Sequence, residues 1–204
     1  QLQPATFEHI VAVNALYRPG PSRNIESFIK RRHGQETVTV LDPSLKTILA
    51  PTFGIIVYQE QVMLVAEKYA GFTLGEADVL RSAMSKKKLA QMADMHDKFI
   101  SGAVSQGHDQ SQAEQIFAYI DEFANYGFNR SHAVAYSKLS FQLAYMKVHY
   151  PTAFFTALLN ANLGSPDKIR LYVTEAKARG IVVKAPNVNQ SDRFWTINKD
   201  FLQM

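Results

Sequence analysis

The sequence predicts a mainly α-helical fold, a multi-helix domain with a few short strands toward its ends, and three observations carry that prediction. Apolar residues recur at helical spacing through most of the chain. Ser, Thr, Gly and Pro stand where helices would start and stop, and β-branched alternation is confined to short stretches. With 204 residues, 47% of them hydrophobic, the chain is long enough to bury a core, and one domain, or one with an appendage, is expected.

Phe7 to Ala15 reads as a short helix, ended by Tyr17-Arg18-Pro19-Gly20-Pro21 because two prolines and a glycine cannot continue it. A second helix covers Ile25 to Arg32 and carries Lys30, Arg31 and Arg32, and Thr37-Val38-Thr39-Val40 reads as a brief strand. Tyr58 to Tyr69 forms a helix with Val62, Met63, Ala66, Tyr69 and Ala70 on one face, closed by Gly71. Thr73-Leu74-Gly75-Glu76 matches a capping box, which starts a new helix running to Met84 or beyond. Helices over Leu89 to Gln106 and Ser111 to Tyr126 follow. Ser131 reads as the N-cap of a helix over Ala133 to Tyr150 that Pro151 terminates. Thr152 to Asn162 and Asp167 to Arg179 close the helical run, while Ile181 to Val183 and Phe194 to Ile197 have strand-like composition.

Lys and Arg total 22 against 18 acids, a net charge of +4. The charges are segregated: Val79 to Ala93 and Ala124 to Pro166 hold no Asp or Glu, and Ile100 to Asn129 holds no Lys or Arg. One positive face with a polyanion as partner fits this pattern, and so does chance in short windows. The absence of Cys excludes disulfide scaffolds and thiolate metal sites and agrees with a reducing cytoplasm. No apolar run is long enough to cross a bilayer, and Gln1-Leu2-Gln3-Pro4 has no signal-peptide character. A first residue other than Met is in keeping with an excised segment. No phosphate-cradling Gly-Lys loop, dinucleotide fingerprint or nucleophile elbow occurs, and the six histidines show no metal-ligand spacing.

Four segments remain as candidates. In Leu80 to Lys88, Arg81, Ser85 and Lys88 fall on one helical stripe beside Lys86 and Lys87, which suits a phosphate or equally a solvated helix end favourable to the dipole. In Tyr126 to Tyr136, Arg130 would sit just before a helix N-terminus, with His132 and Tyr136 sharing a face. That grouping is either a triphosphate grip with an aromatic for the sugar or base, or two packing residues beside a surface charge. Tyr17 to Pro21 is a rigid turn holding Arg18 in place, and Phe53 to Met63 is an apolar, strand-like run entering a helix through Gln59-Glu60-Gln61.

Taken in order, Ala15 to Pro21, Gly54 to Met63, Leu80 to Lys88 and Tyr126 to Tyr136 resemble the alpha subunit of bacterial DNA polymerase III, the C-family replicative polymerases. His149-Tyr150-Pro151 with Phe154, and Pro186-Asn187-Val188-Asn189, also fit, so the resemblance spans essentially the whole chain. Two departures are Ser85, where the family commonly has Gly, and Arg130, where it commonly has Lys. The resemblance implies a fingers region, with residues 1–50 at the palm–fingers junction, 51–164 forming the core fingers helices and 165–204 leading toward the clamp-binding region. It implies template-directed DNA synthesis with Mg2+ on palm aspartates that lie upstream, so that no catalytic residue and no metal ligand falls in this chain, which is expected to be inactive alone. Arg81, Arg130, His132 and Tyr136 would then bind the incoming deoxynucleotide, and Lys86, Lys87, Lys88 and Arg18 would touch DNA. The implied partners are primer-template DNA, the nucleotide and, in the full-length protein, the sliding clamp and other replisome subunits, in the cytoplasm and without a membrane. The alternative class is a self-contained helical module that binds DNA or protein without nucleotide specificity.

Overall fold

Thr6 opens the first helix by accepting the His9 N–H on its hydroxyl, and helices then follow one another for most of the chain in a computed structural model that describes residues 2–18, 21–86, 89–124, 126–198 and 201–203. These are α1 (Phe7–Leu16), α2 (Ile25–Arg32), α3 (Lys46–Leu49), α4 (Gln59–Ala70) and α5 (Leu74–Ser85), then α6 (Leu89–Ser105), α7 (Gln110–Ala124), α8 (Arg130–His149), α9 (Pro151–Asn160) and α10 (Pro166–Ala178). The fold is mainly α, as predicted. Gly71 ends α4 at φ 68°, a left-handed backbone that a residue with a Cβ adopts only at a cost, and Thr73 and Glu76 cap α5 reciprocally.

The described chain divides into two compact units, Gln1–Ser137 and Lys138–Met204. The larger has two clusters of buried side chains. In one, Val62, Val65 and Tyr69 of α4 meet Leu80 and Met84 of α5, Phe99 and Ala103 of α6, and Ile116 and Ile120 of α7. In the other, Val11, Ala12, Ala15 and Leu16 of α1 pack with Phe28 of α2, the buried run Ile55, Val57 and Tyr58, and Ala133 of α8. In the second unit Phe155 and Leu159 of α9, Ala176 of α10, Trp195 and Leu202 form a separate core over a three-stranded sheet. There β1 (Val182–Val183) pairs in parallel with β3 (Phe201–Gln203), and β2 (Thr196–Asn198) pairs with β3 antiparallel. Among the described residues no helix is long and apolar enough to cross a membrane.

Three local expectations are corrected. Among the described residues Thr37 to Val40 finds no ladder partner and is not a strand, and the Gly54–Tyr58 run, though buried throughout, makes only the single parallel bridge of Tyr58 to Phe128. Alternating β-branched residues supply propensity, but a strand needs a neighbouring backbone as well. The N-cap of α8 is Asn129, whose Oδ1 accepts the His132 N–H at 2.9 Å, while Ser131 lies inside the first turn. In the tail, β3 was absent from the sequence-based expectation, and it is the strand that joins the other two.

Two contacts in the larger unit set measurable expectations. Gly102 of α6 lies so close to the end of α4 that a Cβ there would come 2.2 Å from the Ala70 carbonyl oxygen. Gly102→Ala should therefore lower the stability of the chain by about 1–3 kcal/mol, read as the urea midpoint, because backbone cannot yield as a flexible side chain does. Gly75→Ala, in the first turn of α5 with nothing within 4 Å of its added Cβ, serves as the control and should hold or raise the midpoint. An unchanged midpoint for Gly102→Ala would show that α4 and α6 part without cost.

His96 of α6 bonds Asp97 through Nδ1 at 3.0 Å and Glu114 of α7 through Nε2 at 2.7 Å. The Asp97 hydrogen bond, and after the opposing effect of burial the Glu114 one, raise the imidazole above its ordinary pKa. A raised folded pKa means that this contribution is complete below the ordinary histidine value and fades as pH rises through the folded one. Thermal midpoints measured from about pH 5 to 8 should show that loss in the parent chain and a flatter profile in His96→Gln.

Candidate functional site

Five consecutive buried residues, Gly54 to Tyr58, run straight into the polar triplet Gln59-Glu60-Gln61, and each member of the triplet does a different job. Gln61 is buried: its Oε1 accepts the N–H groups of Val57 (2.8 Å) and Tyr58 (3.0 Å), and its Nε2 donates to Thr52 Oγ1 at 2.7 Å and the Ile48 carbonyl at 3.3 Å. The backbone entering α4 is thereby satisfied without a strand partner. Gln59 reaches outward. Its N–H donates to the Phe128 carbonyl at 2.9 Å, and its Nε2 to Ser85 Oγ at 3.0 Å and the Gly127 carbonyl at 3.3 Å. Since Ser85 Oγ also donates to the Arg81 carbonyl at 2.9 Å, Gln59 laces the end of α5 to the loop that precedes α8.

Glu60 belongs to the first turn of α4, yet both its oxygens accept the Arg130 N–H, each at 3.0 Å, at the first position of α8. The carboxylate thus lies at two helix N-termini, where unpaired N–H groups and the dipole favour an anion. The Arg130 side chain turns toward α1, donating from Nη2 to Glu8 at 2.8 Å with its guanidinium 5.8 Å from the Tyr58 ring centre. The Glu8 hydrogen bond raises the guanidinium pKa, and burial raises that of the Tyr58 phenol. Tyr58 Oη is buried with no hydrogen-bond partner among the described residues. A recess of about 670 Å³ opens here, lined by Glu8, Tyr58, Glu60, Leu64, Arg130 and Val134.

A second face of the same helix start carries rings. Phe128 meets His132 edge-on at 5.4 Å between centroids, and His132 meets Tyr136 at 4.5 Å, a ladder at spacings of four residues. Arg18 closes its lower end, 4.3 Å over Phe128. The Arg18 donors point inward, to the Tyr126 carbonyl at 2.9 Å and the Ala15 carbonyl at 3.1 Å, and burial lowers its pKa. Tyr136, at the upper end, is 55% exposed.

The structure therefore brings together His132, Tyr136 and, through Phe128, Arg18, but it turns Arg130 to another side of α8. Arg81, on α5, forms an ion pair with Asp78 at 2.7 Å and reaches the α8 loop only through Ser85 and Gln59. Lys86 is the exposed C-cap of α5, and Lys87 and Lys88 lie outside the described residues. Gln59, Glu60, Phe128 and Glu8 are the site residues that the sequence did not announce by role. The polar triplet set directly against a buried run was the available signal for the first two, and Glu8 had none.

Residues 1–107 match the family described as the bacterial DNA polymerase III alpha subunit finger domain. The chain is 50% identical over 192 residues to the DNA polymerase III subunit alpha of Halalkalibacterium halodurans, covering 94% of this chain and 17% of that protein. It is 49% identical over 197 residues to the subunit of Bacillus subtilis (97% and 18%), and 48% identical over 195 residues to that of Staphylococcus epidermidis (96% and 18%). The chain thus spans 17–18% of the length of these relatives. On these matches, the chain belongs to the bacterial DNA polymerase III alpha subunit finger domain family.

Proposed function

We propose that this finger domain grips the triphosphate of an incoming deoxynucleotide and the backbone of primer-template DNA, as part of a DNA-directed DNA polymerase engaged in replication. The observation that supports the reading best is the start of α8, where Arg130 stands at the first helical position and a ring ladder, His132 and the exposed Tyr136, rises on a second face of the same helix. Phosphate oxygens suit the arginine side chain, the N–H groups of the helix start being taken by Glu60 and Asn129, and a sugar or base suits the rings. Arg81 adds a second cation from the end of α5, and Lys86 to Lys88 extend the positive stretch toward DNA. Arg18, with its donors turned inward, acts by holding Phe128 under the ladder. In this proposal residues 1–50 lead from the palm, 51–164 form the core of the fingers, and 165–204 lead toward the clamp-binding region. The clamp and other replisome subunits are partners of the longer protein.

Mg2+ chemistry belongs to the implied polymerase reaction. Among the described residues no three His, Asp or Glu side chains gather to hold a metal, so the residues present do not fit the ion and no step at them is routed through it. What they contribute is charge and position. Negative charge shifts on the triphosphate during transfer, and a guanidinium bound to it stabilises that charge.

In the intact polymerase, Arg81→Ala and Arg130→Ala should each cost about 2–4 kcal/mol of transition-state stabilisation, roughly a hundredfold or more in kcat/KM for single-nucleotide incorporation. Primer-template affinity should hardly change. Tyr136→Ala should raise the nucleotide KM, because a ring contributes contact and not charge. Near-normal efficiency in both folded arginine variants would return the α8 start to a packing role and favour a DNA-binding module without nucleotide specificity.

For DNA, changing Lys86, Lys87 and Lys88 together to Ala should flatten the slope of log affinity against log salt by about 0.7–0.9 for each phosphate that a lysine no longer neutralises. An unchanged slope would make the lysine run a solvated helix end.

A further inference from the structure

The Arg130 guanidinium carries an internal anion, and the form of that ion pair bears on how nucleotide enters. Arg130 is fixed at its backbone by Glu60, which stands on the neighbouring turn of α4 next to the Gln59 clamp and meets one N–H with both oxygens. Its side chain is held differently: Glu8 reaches across from the first turn of α1 to a single nitrogen, Nη2, at 2.8 Å. The two side chains are 45% and 41% exposed, so water screens the pair and parting them is cheap. We propose that Glu8 is a competing counterion for Arg130, released when a triphosphate takes the guanidinium, an inference that rests on the nucleotide reading of this site. Glu8 is then a specificity-determining residue. A triphosphate, with several charges and oxygens matched to the guanidinium fork, outcompetes one carboxylate, whereas a singly charged backbone phosphate of DNA gains little by the exchange.

The charge balance is simple, since one carboxylate leaves the arginine as one phosphate arrives and no covalent bond changes. Competition of this kind affects bound substrate and transition state alike, so it alters KM and leaves kcat alone. The test is single-nucleotide incorporation by the full-length polymerase carrying this domain, with Glu8→Gln, Glu8→Asp, Arg130→Ala and the Glu8→Gln/Arg130→Ala double variant. Glu8→Gln should lower the deoxynucleotide KM about two- to five-fold with kcat unchanged. Glu8→Asp, which keeps the first-turn charge of α1 but withdraws the carboxylate by one methylene, should do the same, and the double variant should behave like Arg130→Ala alone.

An unchanged or raised KM in Glu8→Gln, with Arg130→Ala still damaging, would show that Glu8 does not compete. The nucleotide reading would survive that result. Wild-type KM in Glu8→Asp beside an altered Glu8→Gln would assign the effect to the charge at the start of α1 and overturn the proposal. No effect of Arg130→Ala on KM or kcat/KM would overturn the nucleotide reading and the competition together. Should Glu8→Gln fold poorly by circular dichroism, Glu8→Asp alone decides between these outcomes.

Discussion

One buried amide governs the geometry of the larger unit. The four hydrogen bonds of Gln61 join residues 48, 52, 57 and 58 to the first turn of α4, at a place where the chain is inside the protein and has no ladder to lie in. Buried backbone N–H groups without partners carry a substantial desolvation cost, and along the path from Ile56 to Tyr58 side chains answer them, Gln61 taking the Val57 and Tyr58 N–H groups and Tyr119 Oη that of Ile56. The backbone of Tyr58 and Gln59 then meets Phe128, and with it the loop that launches α8. The start of α8 is thus tied to the entry of α4, which a glutamine of that helix holds in place.

The arginines in this region have three distinct fates, and those fates grade what each can offer a polyanion. Arg18 has turned inward and acts as a strut beneath an aromatic ring. Arg130 is half engaged, its backbone fixed and its side chain in an exchangeable ion pair. Arg81 leans on a neighbour within its own helix, where an exposed pair contributes little and binds loosely. Net charge records all three as equal, so the charge segregation visible in the sequence locates a positive region without ranking its members. The rank follows from what each guanidinium already touches.

The legible part of the fold was the local part. Gly71, Thr73 with Glu76, and Pro151 are signals whose partners lie within a few residues, and the helices they bound stand close to where periodicity set them. The mistakes share one cause. Thr37 to Val40 has the composition of a strand but no distant backbone to pair with, and Ser131 is as good a capping residue as Asn129, the choice depending on where the loop from Phe128 is held. Within the site, His132 and Tyr136 share a face as their spacing of four requires. That the Arg130 side chain turns to a carboxylate 122 residues away while its backbone N–H goes to one 70 residues away is written in no local pattern.

Those separations also bear on the order in which the molecule assembles. The hairpins α4–α5 and α6–α7 close over short loops, so the entropy lost in forming them is small and they are expected early. The packing of α1 on α8, including the Asn14 bond to Ser137 across 123 residues, requires the longest loop in the larger unit to close. It is expected late in folding, and packing formed after the barrier is packing whose removal speeds unfolding more than it slows folding. Amide exchange at the start of α8 should then report openings that leave the α4–α7 core intact. The segment carrying Arg130 is thereby held by contacts that close only over long stretches of chain, to Glu8 and Glu60, while the scaffold behind it is built from neighbouring helices.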